Sequence, residues 1–302
     1  MPDAEGKRQC MLPGGYVDDG GQVHREAEMA VLTGHDEELL VSMPEAPSAV
    51  LVTRLLARCV KRLGPITPVT EDVARRLLIA DRQFLLLQLR AATFGERIAG
   101  VLACPWQGCG ARIDIDFLID EVPVKRCETV AAFYQLRLSP DAEGTDAHGR
   151  RTLTFRLPDG GDQEVVAPLL GNAARALTRL LERCVLGLEA PGDTDVPTLV
   201  AGLSPRARYE IEQAMAAHAP AVELDMDVVC PECGRAFTAP FDLQDFFFGE
   251  LRTSRDLLYR QVHYLAYHYH WSEHDILALP RDKRRTYIEI IADEIEALNH
   301  AV

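Results

Sequence analysis

The chain has 302 residues, of which 47% are hydrophobic and 26% charged, so it can bury a substantial core in two domains or in one domain with an appendage. It contains no apolar run of about 18 residues and no hydrophobic stretch after its charged N-terminus, which predicts neither a membrane span nor a signal peptide and favours the cytoplasm. The formal net charge of −14 argues against nucleic-acid binding, so we expect protein partners.

The first elements in the chain predict a hairpin followed by helices. We expect residues 1–11 to be disordered and residues 12–33 to form two strands around the turn at residues 18–21. A short helix should begin at Gly34, with acidic residues at the positive end of its dipole. Two amphipathic helices are predicted next, over VLVTRLLARCVKRL and over EDVARRLLIADRQFLLLQLRAATFG.

Two cysteine pairs carry the strongest chemical signal in the chain. Cys104 and Cys109 occur in CPWQGCG, and Cys230 and Cys233 in CPECG. Each pair lies between strand-like runs and is followed by glycine, a pattern typical of a zinc knuckle. We predict that the two knuckles form one four-cysteine zinc ribbon with one Zn²⁺, which would be structural because four thiolates leave no open ligand position.

Two other readings of the cysteines are a redox CxxC motif and a pair of disulfides. A thioredoxin-like CxxC motif opens a helix after a strand, and neither pair does so in the predicted elements. A cytoplasmic location disfavours disulfides. Four histidines near the C-terminus could suggest a second metal site, but they lack a carboxylate at metalloprotease spacing: His263, His268, His270 and His274.

An internal duplication is predicted because the second half repeats motifs of the first. LTRLLERCV at residues 177–185 matches VTRLLARCV at residues 52–60, and Cys230 follows Cys104 by 126 positions. We expect an α+β fold in which each copy has a hairpin, helices and one knuckle, with an approximate two-fold axis through the metal. The predicted segments are a first repeat at 12–117, a linker at 118–130 and a second repeat at 131–250.

Residues 251–302 are predicted to form a separate helical module. Helical spacing indicates three helices, with Ser272 capping the second and Pro280 opening the third. The module has more aromatic side chains than three short helices can bury, so we expect some of them to contact a partner: Tyr259, Tyr264, Tyr267 and Trp271. The preceding stretch FDLQDFFFGEL is a second candidate docking surface.

The sequence carries no motif that supports catalysis. It has no P-loop, no dinucleotide-binding glycine fingerprint and no nucleophile elbow. We therefore expect a non-enzymatic protein that has no small-molecule substrate.

Motifs at both ends of the chain resemble a known family. LPGGYVDDGGQVHRE, TGHDEEL, ARCV and CPECGRAF resemble the baseplate hub and tail-assembly proteins of contractile-tail phages and of related contractile injection systems. The ending LLYRQVHYLAYHYHWSEHDILALPRDKRRTYIEII is similar to a short helical protein of the same gene clusters.

The resemblance implies a baseplate or tail component, or an assembly factor, of a contractile particle. Its partners would be baseplate or tail proteins, and it would be made in the cytoplasm of the producing bacterium. The sequence leaves open whether the chain acts transiently or stays in the particle. The alternative is a zinc-ribbon adaptor that binds nucleic acid or the transcription machinery, which the charge of −14 disfavours.

Overall fold

The computed structural model describes residues 7–43, 45–142, 152–189, 195–253 and 255–300. The fold mixes helices and strands and ends in helices. Every strand pair in the described ranges is antiparallel. Residues 1–6 of the segment expected to be disordered lie outside the described residues.

The first half contains a three-stranded sheet of order β1-β2-β3, four helices and a two-stranded hairpin. Its elements are β1 (Lys7–Val17), β2 (Val23–Ala30), α1 (Gly34–Val41), α2 (Ser48–Cys59), β3 (Val60–Leu63), α3 (Glu71–Arg75), α4 (Ile79–Phe94), β4 (Arg97–Ala103) and β5 (Arg112–Leu118). The hairpin of β1 and β2 turns at residues 18–22, close to the predicted turn.

Three expectations about the first half were wrong. Residues 7–11 are not disordered, because β1 begins at Lys7 and pairs with β2. The helix expected to run through Leu63 ends at Cys59, since residues 60–63 complete the sheet as β3. The long helix expected up to Gly95 is broken between Arg75 and Ile79, where the chain turns to meet the second half.

The second half has the same order of sheet, helices and hairpin. Its elements are β6 (Val124–Lys125), β7 (Tyr134–Arg137), β8 (Thr152–Phe155), α5 (Gly160–Val166), α6 (Ala173–Cys184), β9 (Val185–Glu189), α7 (Val196–Gly202), α8 (Pro205–His218), β10 (Ala221–Val222), β11 (Asp225–Val229) and β12 (Ala236–Pro240). The expected linker contains β6, which pairs with β10. A buried cysteine ends α2 and α6 alike, and each helix runs directly into a strand.

The acidic residues after Gly34 and Gly160 stabilise helix starts. Asp36 and Asp162 each accept a hydrogen bond from the backbone N–H three residues earlier, at 3.0 and 2.9 Å. Each carboxylate also accepts from an arginine of the following helix, Arg58 Nε at 2.5 Å and Arg183 Nε at 2.6 Å. Both are therefore structural, which agrees with the helix-dipole interpretation of these positions.

Four helices end the described chain: α9 (Leu243–Thr253), α10 (Arg255–Tyr269), α11 (Glu273–Leu277) and α12 (Arg281–His300). The helices α10 to α12 are the three that were predicted, and Ser272 Oγ accepts from the Asp275 N–H at 3.2 Å as expected of the cap. The docking role expected for FDLQDFFFGEL was wrong, since Phe247 and Phe248 of α9 are buried in the core of the first half.

Separate apolar clusters lie in the first half, in the second half, in the C-terminal module and around the four cysteines. In the helical layers, α5 packs against α2, α3 and α4, whereas α1 packs against α10 and α11. These contacts are not reciprocal, so the helices do not follow the expected two-fold relation. Among the described helices, none combines the length and the apolar character needed to cross a bilayer.

Candidate metal centre

The two cysteine pairs lie at the turns of the two hairpins. In the first hairpin Ala103 pairs with Arg112, and in the second Val229 pairs with Ala236, so each turn follows directly on the last strand pair. The residue after the second cysteine of each turn is glycine with positive φ, 62° at Gly110 and 69° at Gly234. That conformation is strained for residues with a side chain, which explains glycine at both positions.

The four thiols converge on one point. Cys104 Sγ lies 3.8 Å from Cys233 Sγ, and Cys109 Sγ lies 3.7 Å from Cys230 Sγ. All four sulfurs lie within 4.8 Å of one another. Tetrahedral zinc with bonds of about 2.3 Å requires sulfur separations of about 3.8 Å. The geometry and the soft donor set therefore fit one zinc ion, and the longer spacing between Cys104 and Cys109 does not keep that pair from the cluster.

The local environment shifts the pKa values of these thiols in opposite directions. Removal from water raises the pKa of Cys104 to about 12. The backbone N–H of Arg235 donates to Cys233 and lowers the pKa of that thiol to about 6. One thiolate is thus stabilised by the turn itself, while a bound cation would be needed to keep its neighbour deprotonated at neutral pH.

The disulfide and redox readings find no support in the geometry. All eight cysteines lie in the described residues and are free thiols. Both pairs sit in hairpin turns, and neither opens a helix. One contact between the turns could not be foreseen from the sequence: the Arg235 guanidinium lies over the Trp106 ring, 5.2 Å from its centroid.

The candidate partner-contact residues of the C-terminal module are placed differently from one another. Tyr267 is 70% exposed, while Tyr264 and Trp271 pack within the module. Tyr259 is partly exposed and its hydroxyl donates to Glu38 Oε1 at 3.0 Å, so it binds the module to α1.

The four histidines of the module do not form a second metal group. Across the residues that the structure describes, the four cysteines are the one group of His, Cys, Asp or Glu side chains placed closely enough to share an ion. His274 instead packs against His35, with ring centroids 5.0 Å apart.

Comparison with known proteins identifies the family. Residues 26–248 match a family described as T4 bacteriophage base plate protein, and residues 251–302 match a family of unknown function, DUF6760. Neither a curated protein nor a solved structure matches the chain. Because the first match spans more than half of its length, the chain belongs to the T4 bacteriophage base plate protein family.

Proposed function

We propose that this protein is a non-enzymatic component or assembly factor of the baseplate of a phage-tail-like contractile injection system, stabilised by one structural Zn²⁺. The family match over residues 26–248 carries the baseplate role. The four converging thiols support the metal. Its partners would be other baseplate or tail proteins, and no substrate, nucleic acid or membrane span is part of the proposal.

We also propose that the two halves are copies of one unit, each of which supplies two zinc ligands. The same order of elements and the cysteines at the ends of α2 and α6 support this. In this arrangement the metal cross-links hairpins from distant parts of the sequence. Four thiolates would close its coordination sphere, so its contribution would be folding free energy.

The metal is tested by measuring zinc in the full-length protein purified without chelator. We expect one zinc per chain for the parent and loss of tight binding for Cys230→Ser, because that substitution removes one of four thiolates. Cys230→Ser should also unfold at lower temperature. Cys10→Ser is the control, since Cys10 lies in β1 outside the cluster and should leave zinc content unchanged. Two metals per chain, or none, would contradict the proposal.

The baseplate role is tested on assembled particles from the producing bacterium. Mass spectrometry of purified particles separates a permanent subunit, which remains, from a transient assembly factor, which is present only in assembly intermediates. Deletion of the gene should prevent assembly of complete baseplates in either case. Normal particles from the deletion strain, or salt-dependent retention of the purified chain on DNA, would contradict the proposal.

A further inference from the structure

The N-terminus of α5 packs against α3 and α4, where the two halves of the chain meet. The Gly160 N–H donates to the Leu77 carbonyl at 3.1 Å, at the turn between α3 and α4. Arg82 of α4 lies beside this glycine, and a Cβ at Gly160 would be 2.2 Å from Arg82 Nη1. Arg82 Nε also donates to Gln163 Oε1 at 3.1 Å. We call such a site a receiver: three packed helices that present a turn carbonyl and an arginine to the start of another helix. The first receiver consists of α2, α3 and α4.

A second receiver binds the C-terminal module to the first half. The Gly34 N–H donates to the Leu279 carbonyl at 3.3 Å, at the turn between α11 and α12. A Cβ at Gly34 would be 3.0 Å from Arg284 Nη1, and Arg284 Nη2 donates to Glu37 Oε1 at 2.6 Å. The contacts made by α1 therefore repeat those made by α5, although the receiver comes from a different part of the chain.

The two occupied receivers define the chemistry of what they bind. In both cases the bound helix begins at glycine and carries Asp two residues later, followed by Glu or Gln and then Glu. The last acid also contacts the receiver: Glu164 accepts from Arg75 Nε at 3.0 Å, and Glu38 accepts from the Tyr259 hydroxyl. The occupant thus offers a glycine for close approach and acceptors for a buried arginine.

A third receiver is formed by α6, α7 and α8. Arg208 follows Arg82 by 126 positions, and its Nη1 donates to Thr178 Oγ1 at 2.8 Å, as Arg82 Nη1 donates to Thr53 Oγ1 at 3.0 Å. Arg208 Nη2 donates to the Val200 carbonyl at 2.9 Å, and Arg208 Nε donates weakly, at 3.5 Å, to the carbonyl of Leu203, which follows Leu77 by 126 positions. The arginine is therefore already positioned by its own helices.

The third receiver is more open than the first. Thr53 and Arg82 are 0% and 1% exposed beneath α5. Their counterparts Thr178 and Arg208 are half-buried, and Ala174 of the same face is exposed.

We propose that this third receiver, Ala174, Thr178, Leu203 and Arg208, binds the start of a helix from a different polypeptide. The helix would begin with Gly-x-Asp-[Glu/Gln]-Glu, the pattern shared by α1 and α5. Both of those helices are engaged within the chain, so neither is free to be supplied by a second copy. The inference rests on the contacts of the receivers and is independent of the metal.

The test measures binding of a fluorescent, helix-stapled peptide of residues 31–43 to the full-length protein. We expect saturable binding to the parent, and binding weaker by about tenfold or more to Ala174→Glu, because a charge then occupies the centre of the face. Ala174 is exposed, so this variant should unfold at the parent's temperature. Ala217→Glu is the matched control: nine residues after Arg208, it lies on the opposite side of α8 and should bind like the parent.

A peptide with Gly34→Leu should not bind, because the larger side chain prevents approach to the carbonyl. Lack of binding by the parent peptide would overturn the proposal. Equal binding to the parent and Ala174→Glu would also overturn it, since the peptide would then occupy another site, such as the face of α10 to α12. Self-association of the full-length chain that Ala174→Glu abolishes would make a second copy the occupant and overturn the assignment to a different polypeptide.

Discussion

Asp162 is a fully buried carboxylate that two arginines hold at the start of α5. Arg156 donates to both of its oxygens, at 2.6 and 2.8 Å, and Arg183 Nε donates at 2.6 Å. We expect Asp162→Asn to lower the free energy of unfolding by about 2–3 kcal/mol. This loss is smaller than that for breaking a fully buried ion pair, because both arginines are partly exposed to solvent. Urea unfolding measures the loss.

Asp36→Asn is the matched control at the start of α1. Its partner Arg58 is 46% exposed, so the pair is screened by water and the expected loss is about 1 kcal/mol. Equal losses in the two variants would show that the number and exposure of the arginine partners do not decide the contribution of the carboxylate.

The contribution of Asp162 to the free energy of unfolding should also depend on pH. Burial by itself would raise the pKa of Asp162, but the hydrogen bonds and charge of Arg156 outweigh it and hold the pKa below its usual value. A lowered folded-state pKa gives a contribution that is present above the ordinary carboxyl pKa of about 4 and is lost as the pH falls through the lowered value. As the pH falls below the ordinary carboxyl pKa of about 4, the parent should therefore lose more stability than Asp162→Asn.

At the scale of elements, α5 can pack closely against α4 only because Gly160 has no side chain. The guanidinium beside Gly160 cannot move away, because Arg82 donates to the Thr53 hydroxyl and to the carbonyls of Ala74 and Ala49. We expect Gly160→Ala to cost about 1–3 kcal/mol or more, as overpacking does, although alanine is the better helix former. Thermal and urea unfolding measure the effect.

Gly249→Ala in α9 is the control for this substitution. A Cβ there meets no atom within 4 Å, so only helix propensity and chain entropy should act, and the variant should be as stable as the parent or slightly more stable. Destabilisation of both variants by the same amount would show that the contact with Arg82 is not the cause.

At the scale of the whole molecule, removal of the proposed Zn²⁺ should affect the two cysteine-bearing hairpins far more than the helices. Each hairpin has only two strands, β4 with β5 and β11 with β12, and such hairpins are marginal alone. The helical layers have apolar clusters of their own and meet through α5. We therefore expect the chelated protein to keep its helical circular dichroism while amides in 97–118 and 225–240 exchange faster. Cooperative loss of all helical signal on chelation would contradict this.

Local chemistry was sufficient for the features that depend on neighbouring residues. The cysteine spacings with their following glycines predicted a shared site, and the thiols do converge. The capped helix after Ser272 and the acidic start of α1 were also predicted, because a cap involves residues within one turn. Motifs at both ends of the chain predicted the family, and the match over residues 26–248 confirms it, while the ending matches a family of unknown function.

Tertiary structure decided the features in which distant groups compete with local preference. VKRL at residues 60–63 continues a helical pattern, yet it becomes β3 because the edge of β2 offers backbone partners. The break between α3 and α4 leaves the Leu77 carbonyl free to accept the Gly160 N–H. The aromatic face of α9 is buried because the first half provides an apolar surface for it. In each case the stabilising partner lies more than 25 residues away in the sequence. Patterns among neighbouring residues therefore do not predict which structure forms.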